Sequence, residues 1–145
     1  MEFIYFLSFI PPSKANRVKI NTRAFSKSGK RFIIPKSVGL KINKAIWELQ
    51  KQQEKYNFIF DTPVEVEITF FLKSKRRRDL DNIMKTLGDC LMYANILKDD
   101  NLIYKQTLEK IYTKEEGVII KIKNYEKNDN YDLERLKNFK EWING

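Results

Sequence analysis

The chain has 145 residues, about one domain's worth, and 42% of them are apolar, enough for a core and too many for global disorder. It has no histidine and one cysteine, Cys90, which excludes His-based triads, His-liganded zinc sites, His general bases and an intrachain disulfide, and which suits a reducing compartment. The net charge of +9 is uneven: residues 1–78 carry 17 basic and 6 acidic residues, residues 79–145 carry 11 and 13, and residues 14–44 hold ten Lys or Arg with no acid. A localised basic surface points to a polyanion, nucleic acid before a membrane surface, although 21 Lys against 7 Arg also reflects a lysine-rich composition.

Phe3 to Ile10 is a near-continuous apolar run, which predicts a central strand covered on both faces and ended by Pro11-Pro12-Ser13. The start, Met1 to Ile10, carries Glu2, lacks a basic leader and is too short to span a bilayer, so it reads as neither a signal peptide nor a membrane anchor, and a cytosolic protein is expected. Lys14 to Lys36 is basic and polar and reads as loop with short extended pieces. Phe25 and Phe32 interleave with the cations there, as wedges stacking on nucleic-acid bases or, preferably, as core contacts.

Lys36 to Tyr56 places Leu40, Ile42, Ala45, Ile46 and Leu49 at helical spacing, with Ser37 as N-cap. Val64 to Leu72 alternates apolar residues with Glu65, Glu67 and Thr69, a strand with one wet face. The basic run Lys73 to Arg78 interrupts all apolar patterning. A helix follows over 79–94, its stripe formed by Leu80, Ile83, Leu87, Leu91 and Ala94. Lys98 to Asn101 is a loop, and Ile103 to Thr113 and Gly117 to Tyr125 then read as a hairpin. Glu126 to Asn130 is a linker. The last element, Tyr131 to Ile143, is an amphipathic helix whose apolar face must dock on the core, the preferred reading, or on a partner. The order β-α-β-α-β-β plus a C-terminal helix predicts an α/β (α+β) fold, a small mixed sheet with helices packed on it. It divides into a domain over 1–125 and an appended segment over 126–145.

Chemistry concentrates in Arg78-Asp79-Leu80-Asp81-Asn82-Ile83-Met84-Lys85, with Asp89 one turn further and Asp99-Asp100 beyond the helix. Asp79 falls at the helix cap and Asp81 in its first turn, where free N–H groups and the helix dipole favour carboxylates. Asp81, Lys85 and Asp89 are four apart and share a face. If Asp100 returns to the helix start, Asp79, Asp81 and Asp100 form an oxygen-rich site suited to Mg²⁺, with Lys85 beside a phosphate and Lys73, Lys75, Arg76, Arg77 and Arg78 on flanking phosphates. On spacing alone the same residues also serve as a plain N-cap, surface ion pairs and a solvated turn. Cys90 reads as a small core residue, and Trp47 and Trp142 as packing or dimer-interface residues. No Gly-rich phosphate loop is present, which argues against a nucleotide cofactor.

The run Arg-Arg-Arg-Asp-Leu-Asp-Asn-x-x-Lys at 76–85, Asp89, the correctly spaced Asp99-Asp100, and Pro11-Pro12-Ser13-Lys14-Ala15-Asn16 after the first strand resemble the RusA-like Holliday junction resolvases over about residues 3–124. The resemblance implies a small α/β homodimer from bacteria or their phages. Such a dimer binds four-way DNA junctions and nicks opposing strands symmetrically with Mg²⁺ or Mn²⁺. It assigns metal-binding acids to Asp79, Asp81 and Asp100, a catalytic lysine to Lys85, and second-tier roles to Asp89 and Asp99. DNA contacts are expected from the arginine run and from Lys14, Asn16 and Arg17. The rival expectations are a non-catalytic DNA-binding accessory protein and, more remotely, a nucleotidyltransferase. The segment after Glu126 has no counterpart in the family pattern.

Overall fold

The computed structural model describes residues 2–13, 19–20, 32–33 and 36–145, with backbone alone for 19, 20, 32 and 33. The elements are β1 (Glu2–Leu7), β2 (Lys19–Ile20), β3 (Phe32–Ile33), α1 (Lys36–Tyr56), β4 (Val64–Leu72), α2 (Leu80–Tyr93), a 3-10 turn (Asp100–Leu102), β5 (Ile103–Tyr112), β6 (Gly117–Asn124) and α3 (Asp129–Asn144). Four strands form one sheet in the order β1-β6-β4-β5, and β2 and β3 pair separately. β4 runs antiparallel to β6 and parallel to β5, with α2 as the crossover. The sheet is therefore mixed, as expected, but β5 and β6 do not form a hairpin: β4 lies between them. β4 buries Val64, Val66, Ile68, Phe70 and Leu72. Placing this strand, with its five buried side chains, inside the sheet stabilises it by roughly 1.5–3 kcal/mol per large side chain, which a local hairpin at the edge would forgo.

One sheet face carries α1 and α2. Ala45 and Leu49 from α1, and Ile83, Leu87, Cys90 and Leu91 from α2, join the strand residues in a single core. Cys90 is fully buried, as expected of a small core residue. The opposite face, with Phe6, Glu67 and Lys121, is left to solvent. Ser37 lies inside the first turn of α1 and is not its cap. No helix among the described residues is long and apolar enough to cross a membrane.

β1 departs from expectation. It is an edge strand, covered on one face only. Its outer edge is closed by side chains of α1. Tyr56 Oη accepts from Ile4 N and donates to Ile4 O, both at 3.1 Å. Gln52 accepts from Phe6 N and donates to Phe6 O, both at 2.7 Å. Glu48 accepts from Ser8 N at 2.9 Å and from Ser8 Oγ at 2.7 Å. Four helical residues rise about 6 Å and two strand residues about 6.6 Å, so positions 48, 52 and 56 stay in register with 8, 6 and 4. Gln53, on the inner side of α1, accepts from Tyr5 Oη at 2.5 Å and donates to the carbonyls of Phe58 and Asn95. Burial, then the neighbouring Tyr56, holds the Tyr5 hydroxyl well above the ordinary tyrosine range, so it remains a donor.

α3 differs most from expectation. It forms over the expected residues but buries none of them, so it does not cap the core. Trp142 is 78% exposed and Trp47 57% exposed, so neither belongs to the core.

Candidate active site

β4 ends at Leu72, and the loop 73–79 turns the chain into α2. Arg78 anchors that loop. Its guanidinium meets Glu116 at 3.4 Å with only 9% of the side chain exposed, and its carbonyl accepts from Lys110 Nζ at 3.3 Å. Arg78 thus ties the loop to the sheet, whereas Lys73, Lys75, Arg76 and Arg77 are exposed. Lys14, Asn16, Arg17 and Phe25 lie outside the described residues, and Phe32 falls in β3.

Asp79 caps α2. One carboxylate oxygen accepts from Asp81 N at 3.1 Å and the other from Asn82 Nδ2 at 2.9 Å. The apolar stripe of α2 faces the core, which leaves Asp81 and Lys85 exposed one turn apart and Asp89 half-buried a turn further. Neither Asp81 nor Lys85 is held in an ion pair among the described residues, unlike the solvated-face reading of this segment. Asp100 does return to α2, but to its middle and not its start. A Cβ built on Gly88 would lie 3.5 Å from Asp100 Cβ and 3.7 Å from Asp100 Oδ2. Asp99 caps the 3-10 turn through Asn101 N at 2.9 Å.

The result is a groove of about 590 Å³ between α2 and the open edge strand β5. Asp81, Lys85, Gly88 and Asp100 line one side, and Tyr104, Lys105 and Gln106 the other. Asp79 opens instead onto an adjoining groove with Arg77, Asp81 and Lys110. Desolvation by the groove wall, then a hydrogen bond and the charge of Asp99, then the charge of Asp89, push the carboxyl of the exposed Asp100 above its usual range. The site therefore concentrates negative charge around Asp100.

No group of three or more His, Cys, Asp or Glu among the described residues is gathered tightly enough to hold a metal ion alone. The donor chemistry nevertheless fits a hard divalent cation. Mg²⁺ is ordinarily held by one or two carboxylates, with waters and substrate phosphate oxygens completing its shell. Asp81 and Asp100 both line this groove and are the residues that could supply such carboxylates. The β5 wall, with Tyr104, Lys105 and Gln106, and the close approach at Gly88 were not foreseen. Only the sheet order reveals that β5 flanks this helix.

A family model described as Endodeoxyribonuclease RusA matches residues 11–123, which include every acid of the site. This chain belongs to the RusA endodeoxyribonuclease family. Among its relatives is the crossover junction endodeoxyribonuclease RusA of Aquifex aeolicus (strain VF5), 37% identical over 126 residues, covering 86% of this chain and 94% of that protein.

Proposed function

We propose that this protein is a divalent-metal-dependent endodeoxyribonuclease that resolves four-way DNA junctions by paired nicks. The observation that carries the reading is the meeting of Asp81, Lys85 and Asp100 in one groove of a chain that belongs to this nuclease family. Asp81 and Asp100 would hold Mg²⁺ or Mn²⁺, Asp79 would join them once its carboxylate turned from the helix cap, and Asp89 and Asp99 would be supporting acids. The bound ion would activate water and neutralise charge developing on the phosphate. Lys85 donates an N–H hydrogen bond to a non-bridging or leaving oxygen as water bonds to phosphorus and gives its proton to solvent, while the phosphodiester P–O bond breaks and the leaving oxygen takes up a proton. Arg76, Arg77, Lys73 and Lys75 hold flanking phosphates, as do Lys14, Asn16 and Arg17.

A four-way junction has two-fold symmetry, so a homodimer would present one groove to each of two opposing strands. We assign the endonuclease unit to residues 1–125 and treat 126–145 as an appended segment. The expected setting is the cytosol of a bacterium or a phage-infected host.

The test is cleavage of a labelled four-way junction and a matched linear duplex with Mg²⁺, Mn²⁺ or EDTA. Paired nicks in the junction alone, lost with EDTA, are expected. Asp81→Asn should slow cutting by about 10²–10³-fold while junction binding in EDTA persists, because it removes a ligand charge but not the basic surface. Intact junction in every lane, with a clear gel shift, would assign the chain to non-catalytic junction binding.

A further inference from the structure

A second groove, of about 510 Å³, lies on the other side of Asp79, between the start of α1, the segment after β1 and the arginine run. Its floor is apolar: Phe9 and Ile10 are half-buried, and Pro11 and Ile83 are buried. Its rim is cationic, with Lys41 and Lys44 from α1 facing Arg76 and Arg77, all exposed. Lys44 Nζ stands 4.7 Å from the centre of the Phe9 ring. Glu116 also borders the groove, but Arg78 answers its charge. Arg77, Arg78 and Asp79 line both this groove and the one that leads to Asp81, so the two adjoin at those residues.

We propose that this groove is a subsite for a single unstacked nucleotide next to the phosphate being cut, with its base against Phe9 and Pro11 and its phosphates on Lys41, Lys44 and Arg76. The inference rests on the junction-cutting reading above. A duplex backbone passing over the groove would use the cations but gain nothing from an apolar floor. A base offers a flat apolar face to such a floor, and base–aromatic stacking tolerates any sequence. The volume falls within the ordinary range for small-ligand sites. Unstacking is least costly where pairing is already interrupted, as at the crossover of a four-way junction.

The test is an abasic-site scan. Junctions carrying one abasic nucleotide at successive positions near the crossover are bound to the protein in EDTA, and affinity is read by fluorescence anisotropy. One position is expected to weaken wild-type binding about tenfold. Phe9→Ala should bind the intact junction and that abasic junction alike. Lys41→Ala/Lys44→Ala should weaken all junctions together and reduce the slope of log K against log salt by about 1.5. A flat wild-type scan would overturn the subsite, as would a Phe9→Ala protein that still discriminates or an unchanged salt slope. The wild-type scan needs no substitution, so it decides even if Phe9→Ala folds poorly. Cutting of junctions with a flat scan rejects the subsite alone. Failure to bind any junction rejects the subsite and the nuclease reading together.

Discussion

Gly88 sits in the middle of α2 where the Asp100 side chain crosses the helix. A methyl group there would make ordinary van der Waals contact, so Gly88→Ala is expected to raise stability by up to about 1 kcal/mol through helix propensity. Thermal melts should show the gain, and cleavage should change little. Gly88→Leu would push Asp100 out of the groove, and a displacement of about 1 Å is enough to reduce cleavage by about 10²-fold. Circular dichroism should show the helix retained. Asp100 itself allows a prediction on pH. Its folded pKa is raised, so its favourable contribution to stability is present below the unfolded value of about 3.9 and is lost as pH rises through the folded value. In EDTA at pH 7, Asp100→Asn should therefore melt above wild type, and the two should converge below about pH 4. Saturating Mg²⁺ should raise the wild-type Tm and not that of the variant, because a ligand that binds the folded state alone stabilises it.

At the scale of elements, the joint between α1 and β1 is built from side chains. Gln52→Ala deletes both bonds to the Phe6 backbone at a cost of about 1 kcal/mol, and hydrogen exchange at the Phe6 amide should quicken while the β4 amides stay protected. The sequence made several elements legible. Periodicity alone places α1 at Lys36–Tyr56 and β4 at Val64–Leu72. The i, i+4 spacing likewise puts Asp81 and Lys85 on one exposed face. What it could not show was pairing. The short link from Thr113 to Glu116 looks like a hairpin turn, because local spacing carries no information about β4 taking the place between the two strands. The same blindness applies to Asp100, whose approach to Gly88 depends on the path of residues 94–99. It applies also to β1, whose apolar run matches a central strand because helix side chains supply one of its edges.

At the scale of the whole molecule, α3 stands apart. It lies beyond the family match, which ends at residue 123, and Leu133, Leu136, Phe139, Trp142 and Ile143 are all exposed. A chain ended after Tyr125 should keep the backbone bond from Tyr125 N to Pro63 O and melt within a few degrees of full length, since no buried residue is removed. A drop of tens of degrees would show that α3 belongs to the folding unit. The closed edge of β1 sets a further condition on how copies can meet. An unprotected sheet has two growing ends and, once paired edge to edge, can extend without limit. With Glu48, Gln52 and Tyr56 occupying one end, the four-stranded sheet has a single unpaired end among the described residues, the outer side of β5. In the arithmetic of polymerisation it is a monofunctional unit: any strand-to-strand joining terminates at two, and a fibre cannot propagate through this sheet.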